Sequence, residues 1–257
     1  MSELVHYEVA AGVGRITLDS PHNRNALSRQ LTAELAEGMD AALNDERVRV
    51  VLLTATGTVF CSGADLKEQR EANQAGGSTG PTALAPILEA IWEAPKPVVG
   101  RINGAARAGG MGLVAACDIA VGVEETTFAV NEVRIGVIPA IISVVLLRKL
   151  TMPVAMELFL TGEAFDGRRA AAIGLLNQAV PAAELDAATE RYLAMLRMGA
   201  PGALGAAKRL VRDVPALGMH DGFEAMAALS ATFFASADAL EGMTAFAEKR
   251  PPSWAQG

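Results

Sequence analysis

Apolar and polar residues alternate at the start of the chain and then change to a helical period. Alternate residues from Val5 to Val9 are apolar, and Gly12 and Gly14 flank a turn, which predicts an antiparallel hairpin. Two later segments carry apolar residues every three or four positions, and Ser28 is a candidate N-cap for the first. These residues are Leu31, Leu35, Met39, Ala42 and Leu43, then Leu84, Ile87, Leu88 and Ile91. We therefore predict two amphipathic helices, the second ending before the prolines of residues 95–97.

β-rich segments alternate with these helices. Strands are predicted over residues 48–54, 98–103 and 119–121, with a further helix over residues 108–116. Strand–helix alternation is typical of a layered α/β core, and the pattern alone favours an ordinary doubly wound sheet. Residues 73–82 are rich in small and polar residues and predict a mobile loop.

The pattern changes after about Leu176 to helices separated by prolines. The last of these, over residues 221–249, is predicted to be one or two amphipathic helices. We therefore divide the chain into a core of residues 1–197 and a C-terminal helical subdomain of residues 198–257. The apolar stripe of the C-terminal helices could cover the core or bind another subunit.

Charge and composition argue against several classes of partner and of site. Acidic residues outnumber basic ones, the net charge is −7 and the pI is near 5.1, so neither nucleic acid nor an anionic membrane is an expected partner. Two isolated cysteines, Cys61 and Cys117, with three histidines provide neither a disulfide framework nor a metal site. Buried structural thiols in a reduced, cytoplasmic setting are the expectation.

Two glycine-bearing turns follow predicted strands, at residues 60–67 and 103–112. Backbone N–H groups at such turns, one of them opening a helix, could converge on an oxyanion. The alternative is that the glycines serve packing alone, and neither turn carries the full dinucleotide fingerprint.

Glu132 lies in a largely apolar segment. Apolar surroundings raise the pKa of a carboxyl group, which suits a general acid or base. A glutamate paired with Arg134, or exposed at a strand end, is the other interpretation.

Several segments, in order over nearly the whole chain, resemble the enoyl-CoA hydratase/isomerase (crotonase) superfamily. The segment at residues 20–27 resembles the family's N-terminal motif, and residues 60–67, FCSGADLK, resemble F-C-A-G-A-D-L-K. Residues 96–110 resemble K-P-V-I-A-x-V-N-G-x-A-x-G-G. Further matches are at residues 117–119, 132–139, 160–162 and 241–250.

This resemblance implies an α/β fold with a spiral core of ββα units and a C-terminal helical part that builds trimers, often paired into hexamers. It implies an acyl-CoA thioester as substrate, with coenzyme A entering as part of that substrate and no separate cofactor or metal. Residues 1–197 would then be the acyl-CoA-binding core and residues 198–257 the oligomerisation subdomain.

Site residues also follow from the resemblance. The N–H groups of Ala64 and Gly109 would form the oxyanion hole, and Glu132 would be the catalytic acid–base. Arg24 and Lys67, and from a neighbouring subunit Lys249, are candidates for the coenzyme A phosphates, although each could be a solvated surface charge. The remaining candidates for substrate or coenzyme A binding are Ala26, Ser62, Asp65, Leu66 and Gly110.

One position departs from the well-known hydratases of this superfamily. They carry a glutamate after the Gly-Gly turn, where this chain has Gly112, and a proline where it has Asn131. The pattern is similar to a branch containing methylglutaconyl-CoA hydratase-like and carboxygeranoyl-CoA hydratase-like proteins, which favours a hydratase of fatty-acid or branched-chain acyl-CoA degradation with a single carboxylate. A Δ3,Δ2-enoyl-CoA isomerase and a non-catalytic acyl-CoA-binding protein are the alternatives.

Arg107 stands where the superfamily usually has an apolar residue. Facing the acyl channel, it could pair with a carboxylate at the far end of the substrate. The other interpretation is an arginine directed to a subunit interface, to Asp118 or to Glu124.

Overall fold

The structure is a computed structural model that describes residues 2–77 and 82–255. Its strands are β1 (Val5–Ala10), β2 (Val13–Leu18), β3 (Val50–Ala55), β4 (Val59–Cys61), β5 (Val98–Ile102), β6 (Ala105–Arg107), β7 (Ile119–Val123), β8 (Thr127–Ala129), β9 (Phe165–Asp166) and β10 (Gln178–Val180). Its α-helices are α1 (Arg29–Asn44), α2 (Leu66–Gln74), α3 (Leu84–Glu93), α4 (Gly109–Ala116), α5 (Ala140–Leu146), α6 (Met152–Thr161), α7 (Gly167–Ala172), α8 (Leu185–Arg197), α9 (Pro201–Asp213), α10 (Met219–Phe234) and α11 (Ala237–Glu248).

From β3 to β8, successive strands belong alternately to two sheets. The larger sheet has the order β1-β2-β3-β5-β7-β10 and the smaller one the order β4-β6-β8-β9. Apart from the β1–β2 hairpin and the β8–β9 pair, neighbouring strands are parallel. This is the spiral of ββα units that the family resemblance implies, and the doubly wound sheet favoured by the pattern alone is wrong. The second strand of these units is β4, β6 or β8. Each of these strands spans three residues, which is too short for a hydrophobic period to be recognised in the sequence.

The predicted hairpin and first helix are confirmed, with one change at the turn. Ala11 and Gly12 form the turn with positive φ angles of 48° and 76°, whereas Gly14 lies within β2 opposite Val9. Ser28 caps α1 as predicted, because its Oγ accepts a hydrogen bond from the N–H of Leu31 at 3.2 Å.

Two other expectations need correction. The change to helices after about Leu176 is wrong in detail, because β10 follows and adds the last strand to the larger sheet beside β7. Within the loop predicted over residues 73–82, Asn73 and Gln74 are the last residues of α2, and residues 78–81 lie outside the described residues.

Helix α4 lies in the centre of the core, with every residue buried. Its sequence, GGMGLVAA, is mostly small, so neighbouring backbone approaches closely. A Cβ placed on Gly110 would lie 2.4 Å from the carbonyl oxygen of Cys61, at the end of β4. The glycine thus allows the start of α4 to pack directly against the smaller sheet.

The C-terminal helices differ in how they meet the core. Helix α9 is anchored to it, since Lys208 forms an ion pair with Asp118 at 2.8 Å and donates to the carbonyl of Ile91. Helices α10 and α11 instead expose large apolar side chains, including Phe223 and Phe246, the latter 88% exposed. The division at residues 197 and 198 stays a prediction. None of the helices in the described ranges has the length and apolar character needed to span a membrane.

Candidate active site

Two strand-to-helix turns meet at the ends of parallel neighbours in the smaller sheet. The turn after β4 leads into α2 and the turn after β6 leads into α4. A Cβ placed on Gly63 would lie 2.8 Å from the Cβ of Ala108 and 3.3 Å from the backbone nitrogen of Gly109. Gly63 also has a φ of 91°, a conformation that favours glycine. The contact between the turns therefore depends on the missing side chain of Gly63.

Each turn presents a free backbone N–H to the same cavity. On the first turn, the carbonyl of Gly63 accepts from Leu27 and the N–H of Asp65 donates to Leu27, which leaves the N–H of Ala64 without an acceptor among the described residues. The N–H of Gly109 is equally free within the described part of the chain, because Gly109 is the first residue of α4. Ala64 and Gly109 both line the cavity. Such N–H groups, one at the positive end of a helix dipole, suit an oxygen that carries negative charge.

Ala108 holds the second turn in a strained conformation. Its φ of 47° and ψ of −117° are unfavourable for a residue with a Cβ. The turn is held by hydrogen bonds on both sides, because the N–H of Ala108 donates to Ala129 and its carbonyl accepts from Met111. The orientation of the next N–H, that of Gly109, is fixed by these contacts.

Glu132 begins a 3-10 turn (Glu132–Ile135) on another wall of the cavity. Its Oε2 is buried and has no hydrogen-bond partner among the described residues. Burial raises the pKa of this carboxyl group, and a hydrogen bond from its own backbone N–H opposes the shift only in part. The alternative pairing with Arg134 does not form, since the guanidinium of Arg134 donates to the carbonyl of Thr161. A carboxylate with a raised pKa and an oxygen that lacks a hydrogen-bond donor is suited to accept a proton.

The cavity has a volume of about 470 Å³ and walls of different character. Its polar wall is the face of α2 that carries Gln69, Arg70 and Asn73. Its apolar wall comes from the 3-10 turn and α5, through Ile135, Val137, Ile138, Ile141 and Ile142. The free N–H groups and Glu132 thus share one cleft that could hold a small polar head attached to an apolar chain.

Comparisons with known proteins identify the family of the chain that forms this cleft. The sequence matches the family described as "Enoyl-CoA hydratase/isomerase" over residues 8–257. The chain belongs to the enoyl-CoA hydratase/isomerase family. Members of this crotonase family bind acyl-CoA substrates.

Relatives of several kinds cover the chain almost completely. A Thermus thermophilus protein provisionally named an enoyl-CoA hydratase is 35% identical, over 93% of this chain and 96% of its own length. The carnitinyl-CoA dehydratase of Proteus mirabilis is 31% identical, over 99% of each chain. Among solved structures, Pseudomonas aeruginosa AtuE is 33% identical with a TM-score of 0.93, over 99% of this chain and 100% of its own.

The position at which this family member departs from the well-known hydratases is closed by packing. A Cβ placed on Gly112 would lie 2.6 Å from the Cγ2 of Ile142 and 3.1 Å from the Cδ1 of Leu88. Ile142 is itself a residue of the apolar wall. The space that a second glutamate would need is therefore occupied by α5, and Glu132 is the only carboxylate that lines the cavity among the described residues.

The residues named from the family pattern fall into two groups. Ser62, Ala64, Leu66, Gly109 and Glu132 line the cavity together. The others do not line it: Arg24, Ala26, Asp65, Lys67 and Gly110.

Each of the second group has a local explanation. Arg24 and Lys67 are exposed, and Ala26 is buried. Asp65 is the N-cap of α2, where it accepts hydrogen bonds from the N–H groups of Lys67 and Glu68. Gly110 provides the close packing of α4 against Cys61.

Arg107 is not a cavity residue. Its guanidinium donates to the carbonyl oxygens of Ala106 and Thr127 and to the hydroxyl of Thr127, at 2.6 Å for the last. The idea that Arg107 reads a carboxylate in the acyl channel is therefore wrong, and its partner is neither Asp118 nor Glu124. Lys249 is exposed at the C-terminal end of α11 with a φ of 54°.

The polar wall of α2 and the contribution of α5 were missed by sequence reasoning. Leu66, Gln69, Arg70 and Asn73 follow the pattern i, i+3, i+4 and i+7, which places them on one helical face. That spacing was visible, but the sequence does not say which face of an exposed helix meets a cavity.

Proposed function

We propose that the protein is an enoyl-CoA hydratase that works with a single carboxylate. The observation that carries the proposal is that one cavity of the described chain is lined by two free N–H groups, at Ala64 and Gly109, and by Glu132, whose buried Oε2 has no hydrogen-bond partner. Relatives named as hydratases and as a dehydratase support addition or removal of water as the chemistry.

The reaction divides between these groups. The two N–H groups donate to the thioester oxygen and stabilise the negative charge that it gains as an enolate forms. Glu132 takes a proton from a water as the hydroxyl adds to Cβ, and it then gives that proton to Cα. One water is consumed, and the carboxylate returns to its starting state. Its raised pKa strengthens it as a base in the first step and makes it a competent acid at neutral pH in the second.

Coenzyme A would enter as part of the substrate. Arg24 and Lys67, both exposed beside the turn that carries Ala64, are the proposed contacts of its phosphates. Lys67→Gln should raise KM with little effect on kcat, because the lost contact lies far from the reacting carbons. An unchanged KM would remove Lys67 from the binding site.

A Δ3,Δ2-enoyl-CoA isomerase is the second candidate. The observation that favours it is the closed packing around Gly112, which leaves Glu132 as the one carboxylate that lines the described part of the cavity. An isomerase needs only one base, which moves a proton between Cα and Cγ while the N–H groups hold the enolate oxygen.

Product analysis separates the two reactions. Purified protein is incubated with 2-enoyl- and 3-enoyl-CoA, and the products are followed by mass spectrometry. A gain of one water identifies a hydratase, and interconversion without a change of mass identifies an isomerase. Glu132→Gln should lower either rate by about 10²–10⁴-fold, the usual contribution of a general base. Glu37→Gln, an exposed glutamate of α1 outside the cavity, is the matched control. Full turnover by the Glu132 variant would refute the assignment.

We further propose a homotrimer, or a hexamer built from two trimers, in the cytoplasm, with α10 and α11 as the subunit contact. The support is the run of exposed apolar side chains on these helices, led by Phe223, Phe234 and Phe246. Light scattering should give a trimer or hexamer for the native chain and a smaller species for Phe246→Asp. A monomeric native chain would refute this assembly.

A further inference from the structure

The cavity carries one positive charge that the proposed chemistry does not use. Within the described residues, Arg70 and Glu132 are the two charged side chains that line it. They lie on different walls, Arg70 on α2 and Glu132 on the 3-10 turn. The remaining lining is apolar or neutral.

Arg70 has no ionic partner within the chain as described. Of the acidic residues around it, Glu68 accepts from the backbone N–H of Arg29 and Asp65 caps the helix. Glu71, the next residue along α2, forms no ion pair with Arg70 in the described structure. By contrast, the exposed Arg47, Arg168 and Arg169 each pair with a carboxylate. An unpaired guanidinium beside an apolar cleft can form a bidentate contact with an anion brought by the ligand.

The neighbours of Arg70 extend this polar surface. Gln69 and Asn73 lie on the same face of α2 and line the same cavity, which the isoleucines of α5 also line. An acyl chain lying between these walls would place one side against hydrocarbon and the other against hydrogen-bonding groups. A wholly apolar acyl group would offer the guanidinium of Arg70 no hydrogen-bond acceptor, which costs binding energy.

We propose that Arg70 recognises a carboxylate at the far end of the acyl group, so that the preferred substrates are enoyl-CoA thioesters of dicarboxylic acids. The proposal rests on the function proposed above. A coenzyme A phosphate offers the same anionic chemistry. All three basic side chains are exposed, but Arg24 and Lys67 lie outside the cavity and suit that role, whereas Arg70 lines the cavity itself.

Binding of saturated thioesters tests the proposal without requiring turnover. Calorimetry compares glutaryl-CoA with butyryl-CoA for the native protein, Arg70→Gln, Arg70→Lys and the control Arg209→Gln, which changes an exposed arginine of α9. We expect Arg70→Gln to weaken glutaryl-CoA by about tenfold or more, the worth of a charge-assisted contact, and to leave butyryl-CoA within about twofold. Arg70→Lys should retain part of the preference, and Arg209→Gln should retain all of it.

A second pair of ligands separates the acyl carboxylate from the phosphates. The N-acetylcysteamine thioesters of the same acids lack the nucleotide. If Arg70 reads the acyl carboxylate, the preference for the glutaryl compound persists with these short thioesters and is lost in Arg70→Gln. Equal weakening of both coenzyme A ligands, with no effect on the short thioesters, would assign Arg70 to a phosphate and overturn the proposal. No effect of Arg70→Gln on any ligand would overturn it as well.

The failure of this inference and of the proposed function are distinguishable. An Arg70-dependent preference for glutaryl-CoA in a protein that converts no enoyl-CoA would refute the enzyme and leave the recognition intact. Turnover of neutral and carboxylated enoyl-CoA with equal kcat/KM in both the native protein and Arg70→Gln would do the reverse.

Discussion

Gly112 and Ile142 form the contact that decides how many carboxylates the cavity can hold, and Gly112→Ala tests it. The new Cβ would lie 2.6 Å from the Cγ2 of Ile142, well inside van der Waals contact. That methyl group is on the branched Cβ of a helical isoleucine, which has little rotamer freedom to move away. The backbone of α5 or α4 must therefore shift.

Opposing effects set the size of the change. Overpacking a core costs about 1–3 kcal/mol, whereas replacing a helical glycine by alanine gains about 1 kcal/mol. We expect Gly112→Ala to lower the free energy of unfolding by up to about 2 kcal/mol, the difference between these effects. Gly222→Ala is the matched control, because Gly222 is also buried in a helix but its Cβ would meet nothing closer than 3.6 Å. That variant should be neutral or more stable by up to about 1 kcal/mol.

A double-mutant cycle with Ile142→Ala identifies the contact itself. Ile142→Ala alone should cost about 2–5 kcal/mol as a cavity-creating change. In that background Gly112→Ala should become neutral or stabilising, which gives a coupling energy of about 1–3 kcal/mol, within the range for residues in contact. Urea unfolding at one protein concentration measures all four proteins. If Gly112→Ala is as well tolerated as Gly222→Ala and the coupling is zero, the space beside Gly112 is open and the single-carboxylate argument fails.

Other changes test the turns, the acid and the core separately. Glu132→Gln should raise stability at neutral pH, because burial raises the pKa of Glu132 above its ordinary 4.5 and so penalises the charged form in the folded state. The urea midpoint of the variant should exceed that of the native protein by an amount that grows as the pH rises through the raised pKa of Glu132 and disappears below pH 4.5. A difference in midpoint that does not change with pH would contradict the expected burial of the charged carboxylate. Gly63→Ala should cost about 1–3 kcal/mol through the positive φ of this residue, and it should abolish activity. Adding Ala108→Gly should restore part of the stability, because it removes the Cβ of Ala108 that lies only 2.8 Å from the new Cβ at residue 63. Independent effects of the two changes on stability would show that the turns are not in contact. Lys208→Met should cost up to about 3–5 kcal/mol in chemical denaturation, because it leaves the partly buried carboxylate of Asp118 without its charged partner. Asp118→Asn in the same chain should recover part of the loss. A loss under about 1 kcal/mol would mean that the pair is effectively solvated.

The amino-acid sequence determined the elements with a long, clear period. The 16 residues of α1, with Ser28 as cap, and the fully buried β3 could be predicted because each buries a regular set of apolar side chains. The short strands β4, β6 and β8 could not, since three residues in pairing carry no period, and only the family resemblance indicated the spiral they form.

The residues of the candidate site, too, could be predicted only in part from the sequence. Glycines and a lone glutamate in an apolar segment could be seen in the sequence. Their presence at one cavity depends on the parallel pairing of β4 with β6 and of β6 with β8, which joins residues far apart in the chain. Only the tertiary structure decided that Ile142 closes the space beside Gly112, that Arg107 bonds to Thr127, and that Arg70 lines the cavity. The physical reason is that local periodicity fixes which residues of an element are apolar, whereas the direction in which a polar side chain points depends on neighbours brought together by the fold.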